Sequence, residues 1–437
     1  MRNIIGIRKE TKYNTERRAP LTPTQVKKIV EEFEIDVHVQ PSGNRIFNDE
    51  EYKKAGAVIT NDLSQCKIIF GVKEVKIDEL LANKAYCFFS HTIKGQSYNM
   101  PMLKNILDKN ITLIDYELVK NDEGKRIIFF GKYAGYAGMI DSLWLLGRRY
   151  LAEGIDTPFK HIKQANKYAS LNEAKKAIKS VGELIAKNGL PVEVTPVVTG
   201  FTGYGNVSKG AQEVYDLLPA VNVNANELES LITSKEYTRN NVYKVEFTKN
   251  DIYENISGKK DFDSKYVNEH PSEFRSIFHK FIPYLTVIIN GIFWAPEFDK
   301  LITKKYMKEL FSIQPKPKIK IIGDVTCDPG GSDELLVKVT KSDNPSFVYE
   351  PLTGNVIDGW EGNGPVVLGV DILPAELPVD SSGAFGNALL PFIKSLAGAD
   401  YSESYENLNL PREFCHAVIA HQGKLTPDFE YLLNYLA

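Results

Sequence analysis

The stretch VEVTPVVTGFTGYGNVSKGAQEVYDLLP, residues 192–219, decides the fold. An apolar run leads into a glycine turn, Gly200-x-x-Gly203-x-Gly205-x-x-Ser208, and Val207, Ala211, Val214 and Leu218 then fall on one helical face. Strand, glycine turn and amphipathic helix in that order build the dinucleotide-binding unit of a Rossmann-like domain. Glycines let the backbone approach a pyrophosphate, and the helix start offers free N–H groups and a positive dipole end. The simpler alternative is a tight strand–helix turn that binds nothing, but the flanking strand and helix supply the context that a dinucleotide site requires. Gly200, Gly203, Gly205, Asn206, Val207 and Ser208 are therefore expected to hold a coenzyme. An acidic residue about 20 positions later usually holds the ribose of NAD. Here AVNVNANELE offers Asn222, Asn224 and Asn226, with Glu227 arriving late. NADP is expected, with NAD as second choice.

Working toward the N-terminus, β-branched runs alternate with helical stretches: NIIGI, VKKIVEEF, IDVHV, KIIFGVKEV, KNILDK, ITLIDYEL. That rhythm predicts an α/β domain with a mostly parallel sheet. Thr22 and Pro23 form a plausible helix start, and Asp122, Glu123 and Gly124 read as a hairpin turn between DYELV and RIIFF. Residues 131–153 predict a long helix with one buried face. Residues 224–281 read as an excursion of helices and loops, after which strand-like runs resume at YLTVIIN and IKIIGDV. From residue 365 a strand, a proline-punctuated loop and an apolar helix follow. The expected architecture is α/β, two Rossmann-like domains with a cleft between them, the first discontinuous. Residues 1–135 plus 366–437 would form the substrate-binding domain and residues 136–365 the NAD(P)-binding domain.

The chain has 437 residues, 43% hydrophobic and 25% charged, enough to bury two cores. With 53 Lys plus Arg against 56 Asp plus Glu, it lacks the basic excess of a nucleic-acid or anionic-membrane binder. Cys66, Cys87, Cys327 and Cys415 lie far apart with no C-x-x-C pair, so neither a zinc ribbon nor a disulfide framework is expected. No segment approaches a membrane span, and a cytoplasmic location is expected.

Lys73 and Glu74 follow KIIFGV, and His91 follows YCFFS. All three fall at the C-terminal ends of predicted strands, the edge that faces the ligand crevice in open α/β sheets. Histidine titrates near neutrality, and a partly desolvated lysine can be lowered toward that range, so the pair suits proton transfer. The bland reading makes Lys73 a solvated strand-end charge and His91 a turn residue. Arg18, in TERRAPLTP, and Arg126 are candidates for gripping carboxylates, each otherwise a surface charge. Asp324 and Asp328 end another apolar strand and either position an amine or shape a turn. The other histidines show no ligand spacing, and no metal is expected.

The pieces ERRAPLTP, GVKEV, FFSHT, DYELV, FGKYAGYAG, FTGYGNVSKGAQE, INGIFW, DVTCDPGGS and VDILPAELPVDSS run in order through most of the chain. Together they resemble the lysine-ketoglutarate reductase family, the lysine-forming saccharopine dehydrogenases, which are related to alanine dehydrogenase and transhydrogenase. The resemblance is strongest to the reductase half of the bifunctional aminoadipic semialdehyde synthases. It implies Lys73 and His91 as the acid–base pair, tuned by Glu74 and Glu117. It also implies that Arg18, Arg126 and Phe130 line the substrate site, with Asp324 near the nicotinamide side. The implied reaction is the reversible, NADPH-dependent condensation of L-lysine and 2-oxoglutarate to saccharopine. Those synthases continue into a glutamate-forming half, so coupling to a separate glutamate-forming saccharopine dehydrogenase is expected. The rivals are an amino-acid dehydrogenase of the alanine dehydrogenase type, a non-catalytic nucleotide-binding module and a methyltransferase. The joint presence of Lys73, His91, Arg18 and Arg126 speaks against the module, and the missing acid after the next strand against the methyltransferase.

Overall fold

The computed structural model describes residues 2–259 and 261–436. Its contacts divide the chain into two units, residues 1–130 with 378–437, and residues 131–377. Residues 366–377, assigned above to the first unit, lie in the second, because Val366–Leu368 pairs within that unit's sheet.

In the first unit, short apolar runs form β1 (Ile4–Ile7), β2 (Asp36–Val39), β3 (Val58–Ile59), β4 (Ile68–Phe70), β5 (Ala85–Phe88) and β6 (Thr112–Asp115). These six are parallel, in the spatial order β6-β5-β4-β1-β2-β3. Antiparallel β17 (Val418–His421) and β18 (Lys424–Leu425) extend the sheet beyond β6. Helix α1 (Pro23–Glu32) starts after Thr22, whose N–H donates to the Gln25 side chain at 2.7 Å. Helix α2 is Met100–Asp108. Helix α5 (Pro378–Leu389) puts Phe385 and Leu389 into one core with Ile7, Val26, Ile29 and Phe70. Each such side chain contributes about 1.5–3 kcal/mol by leaving water. The Gln25 amide ties α1 to α5 through the Gly383 carbonyl and Asn387 Oδ1, both at 2.8 Å. The expected hairpin near residue 122 shrinks to a single bridge, Lys120 to Arg126. The cause is Asp115, whose carboxylate accepts the Glu117 N–H at 2.7 Å and winds Tyr116–Leu118 into a 3-10 turn.

The second unit holds β7 (Val198–Thr202), β8 (Ala220–Asn222), β9 (Val242–Phe247), β12 (Val287–Asn290), β13 (Ile321–Asp324) and β16 (Val366–Leu368), all parallel. Between β9 and β12 in the chain lies a small hairpin, β10 (Tyr253–Asn255) with β11 (Phe274–Ser276). Antiparallel β14 (Ser346–Tyr349) and β15 (Val356–Asp358) complete the order β15-β14-β16-β13-β12-β7-β9-β8. The stretch read as helices and loops thus contains β9, and β9 rather than β8 lies beside β7. Helix α3 (Gly131–Ala152) is buried on nearly all sides between Gly135 and Gly147, not on one face. Glycines permit this: a Cβ at Gly135 would sit 2.0 Å from the Val207 carbonyl oxygen, and one at Gly147 would sit 2.5 Å from that of Phe159. Helix α4 (Asn206–Tyr215) reciprocates, since Gly210 lies against the Lys132 carbonyl.

Among the described residues, no helix is long and apolar enough to cross a membrane, and no group of three or more His, Cys, Asp or Glu could hold a metal ion. The four cysteines are free thiols.

Candidate active site

Parallel pairing brings the C-terminal ends of β1, β4, β5 and β6 to one edge of the first sheet. Lys12, Lys73, Glu74, His91 and Glu117 follow those ends. Glu74 is the hub. Its Oε1 accepts from the Lys12 ammonium, from His91 Nδ1 at 2.7 Å and from Asn99 Nδ2 at 3.3 Å, and its Oε2 is buried without a partner. Burial alone would push this carboxyl up, but the bonds and charges of His91 and Lys12 outweigh burial and bring it down to about 2. An ionised carboxylate only accepts, so His91 Nδ1 carries the proton, and Nε2 is the ring nitrogen left for exchange with a substrate.

His91 lies in the left-handed region, φ +48°, which costs a residue with a Cβ about 1–2 kcal/mol. The loop is held nonetheless. Ser90 N–H and Oγ donate to Asp115 Oδ2 at 2.9 and 2.5 Å, and Ser90 Oγ meets Thr92 Oγ1 at 2.7 Å. Lys73 is half-buried, and its N–H donates to Glu10 Oε2 at 2.9 Å, beside the Val72 N–H on Oε1 at 2.7 Å.

Both arginines already hold carboxylates. Arg18 Nε and Nη2 donate to the two oxygens of Glu16, and the guanidinium lies 4.2 Å from the Phe130 ring centroid. Burial would raise the Glu16 carboxyl, yet Arg18 holds it low, with a further contribution from the Lys73 charge. Arg126, half exposed, donates to Glu117 Oε1 at 2.6 Å. Phe130 stacks on Phe385 at 4.6 Å, and Phe89, Tyr116, Phe130 and Phe385 form an aromatic wall that continues onto the His91 ring. Lys73, Glu74, His91, Glu117, Arg18, Arg126 and Phe130 all lie in the first unit, where Glu74 holds His91, Arg18 lies on Phe130 and Arg126 holds Glu117. Lys12, Asn99, Glu10 and Glu16 were not singled out in the sequence. Glu10 and Lys12 sit beyond β1 in RKETK, where the strand-end rule that flags Lys73 applies equally; Asn99 carries no such signal.

In the second unit, Gly203 has φ +83° and Gly205 precedes α4 with open space where a Cβ would be. The first inward bond of the helix is Lys209 N–H to the Gly205 carbonyl, 3.0 Å. Helix geometry thus leaves the N–H groups of Asn206, Val207 and Ser208 without intrahelical acceptors, a cradle that fits a dinucleotide pyrophosphate. Gly200 does something else: it lies inside β7, its Cβ space taken by Phe247 and Leu285. Ser208 is buried and its hydroxyl accepts from Gln212 at 3.1 Å. Asp324 ends β13 and is also buried. It accepts from Asn290 Nδ2 (3.0 Å), Thr326 N–H (3.0 Å), Thr326 Oγ1 (2.5 Å) and Cys327 N–H (3.2 Å). Burial pushes its carboxyl up, and those donors oppose the shift. Thr202 Oγ1 donates to Asn290 Oδ1 at 2.9 Å, linking the ends of β7, β12 and β13. Glu227 is engaged by Asn224, N–H at 3.2 Å and Nδ2 at 2.9 Å. The strand end beside β7 carries Glu246, which accepts from the Gln212 amide.

Residues 6–137 match the family described as Alanine dehydrogenase/PNT, N-terminal domain. An alpha-aminoadipic semialdehyde synthase of Arabidopsis thaliana is 39% identical, aligned over 98% of this chain and 41% of its own length. The mitochondrial alpha-aminoadipic semialdehyde synthase of Bos taurus is 35% identical, over 98% and 47%. The chain spans less than half the length of these two relatives. A saccharopine dehydrogenase (NAD(+), L-lysine-forming) of Neurospora crassa is 26% identical over 90% of this chain and 91% of its own. Among solved structures, an L-alanine dehydrogenase superposes with a TM-score of 0.64 at 18% identity, covering 99% of this chain and 100% of its own. A transhydrogenase from Sinorhizobium meliloti gives 0.58 at 16% identity, over 97% and 100%. Over nearly its whole length the chain is similar to these synthases and to this saccharopine dehydrogenase, and it has the two-domain α/β fold of alanine dehydrogenase and transhydrogenase.

Proposed function

We propose that this chain is an oxidoreductase of lysine metabolism that reversibly condenses L-lysine with 2-oxoglutarate, with NADPH as reductant, to give saccharopine. The observation that carries this reading is the Glu74–His91 pair beside Lys73 on one strand edge, with Arg18 and Arg126 on the same unit. The substrate ε-amine must lose a proton before it attacks the keto carbon, and the carbinolamine must then lose water. His91 Nε2 and the Lys73 amine are the groups to which those proton transfers fall. Glu74 orients the imidazole and balances its charge. Arg18 and Arg126 take substrate carboxylates by sharing or releasing Glu16 and Glu117. Gly203, Gly205 and the first N–H groups of α4 hold the coenzyme, which when bound supplies the hydride. NADPH is favoured on the Asn-rich stretch Asn222, Asn224 and Asn226 that stands where an acid usually holds the ribose of NAD; Glu227 and Glu246, which accept from Asn224 and Gln212, are the carboxylates that would serve NADH instead. Saccharopine so formed would be the substrate of a glutamate-forming saccharopine dehydrogenase activity.

The test is absorbance at the NADPH band with lysine and 2-oxoglutarate together, then each alone, then NADH in place of NADPH. Oxidation only with both substrates, at higher kcat/KM for NADPH, is expected. Oxidation that needs just one of them, or none at all, defeats the proposal, and a higher kcat/KM with NADH overturns the coenzyme choice.

A further inference from the structure

Asn99 stands immediately before α2, with a proline at the helix start, where an asparagine ordinarily caps the helix. Its side chain makes no cap bond. The buried amide turns back instead: Nδ2 donates to the Ser90 carbonyl at 3.0 Å, to the His91 carbonyl at 3.1 Å and to Glu74 Oε1 at 3.3 Å. The two carbonyls belong to the peptide groups on either side of the His91 Cα. Rotation about either φ or ψ of His91 would carry one of them off the shared nitrogen. The third contact reaches the carboxylate oxygen that holds His91 Nδ1.

We propose that Asn99 is a positioning residue: one carboxamide pins both peptide groups flanking the strained His91 and the carboxylate that orients its ring. The inference rests on His91 being the proton-transfer group proposed above. A capping role would demand a bond to the first turn of α2, and that bond is missing. An acid here would set a second carboxylate against two carbonyls and Glu74, so the donor character of the amide is what the site uses. The ionisable group bonded to His91 is Glu74, which Lys12 also holds; Glu10 accepts from the Lys73 N–H at the same strand end, and Asp115 anchors the neighbouring Ser90.

The test compares Asn99→Ala, Asn99→Asp and Asn99→Gln in the full chain. The readouts are kcat and KM, coenzyme affinity by fluorescence quenching, and the His91 ring signals by long-range 1H–15N NMR, assigned with His91→Gln. Asn99→Ala is expected to lower kcat about 10- to 100-fold, the scale of a misplaced catalytic group, with coenzyme affinity unchanged and the Nδ1-protonated tautomer lost as the main form. Asn99→Asp should lower kcat at least as far, because a carboxylate cannot donate to the two carbonyls or to Glu74. Asn99→Gln, which keeps the carboxamide, should recover part of kcat. Wild-type kcat and ring signals in Asn99→Ala, or an Asn99→Gln protein as impaired as Asn99→Asp, overturn the inference. Full activity in His91→Gln instead overturns the reading of His91, and the ring signals of the Asn99 variants still decide the pinning.

Discussion

Glu16 and Arg18, two positions apart, hold each other through bonds of 2.8 and 2.5 Å, with 0% and 3% of their side chains exposed. A guanidinium whose fork is filled binds a substrate carboxylate only by sharing or exchanging its partner, and the Phe130 ring keeps its plane fixed meanwhile. Arg18→Lys is therefore expected to raise KM for 2-oxoglutarate about tenfold with a smaller effect on kcat, because an ammonium cannot make two parallel bonds. Arg18→Ala should in addition lower the melting midpoint, since a buried carboxylate left without its partner costs on the order of 3–5 kcal/mol. Initial-rate kinetics and thermal melts check the two effects. An unchanged KM in Arg18→Lys would exclude Arg18 from substrate binding.

Lys73→Met and His91→Gln should each lower kcat by roughly 10²- to 10⁴-fold and flatten one limb of its pH profile. Coenzyme affinity should stay near wild type, because the glycine turn is built in the other unit. Fluorescence quenching beside steady-state kinetics separates the outcomes; loss of coenzyme binding in either variant would show that the fold, not proton transfer, had failed.

Glu74 titrates at about 2 in the folded chain, below its ordinary 4.5. A carboxyl lowered on folding contributes stability that is fully present above the ordinary value and is lost as pH falls from there toward 2. The shift corresponds to on the order of 3 kcal/mol. Glu74→Gln should flatten the acid side of the stability curve, measured by urea unfolding between about pH 6 and pH 3. Equal slopes in the two proteins would show that Glu74 does not carry the acid sensitivity.

Asp141 on α3 and Glu376 near the end of the second unit are both buried, and each keeps one oxygen without a partner. Asp141 accepts the Ala165 N–H at 2.7 Å and Glu376 the Gln164 amide at 3.4 Å. Burial and the facing carboxyl push Asp141 well above its ordinary value, and burial raises Glu376, so the pair is expected to hold one proton between its two carboxyls. A group raised on folding contributes stability below its unfolded value that is lost as pH rises through the folded one. Asp141→Asn, which puts a fixed N–H donor in place of the ionisable carboxyl, should show a smaller fall in melting midpoint than the wild type as pH rises above the ordinary carboxyl range of about 4. Parallel declines would refute the shared proton.

Local pattern made most of the fold legible. The strand at residues 198–202, the turn at Gly203 and the helix at 206–215 stand where the apolar run and the 3.6-residue spacing put them. The strand VYKVEF at 242–247 was lost among polar neighbours, although its alternation is the period-two signal. Its insertion between β7 and β8 is a pairing between distant segments that no local window records. Helix α3 hid its burial because glycines contribute nothing to an apolar count, yet it is their missing Cβ atoms that admit the neighbouring backbone. In the site, strand-end position exposed Lys73 and His91, whereas Asn99 looks like a helix cap until its amide is seen to point elsewhere.

Each of the two large sheets ends in very short strands: β3 and β18 have two residues apiece, β8 and β15 three. So few unpaired N–H and C=O groups give an incoming strand almost nothing to zip onto, which guards against edge-to-edge aggregation and amyloid-like stacking. Self-association of this chain would accordingly recruit helix and loop surfaces, and a cross-linked dimer joined strand to strand at β3 or β15 would contradict that.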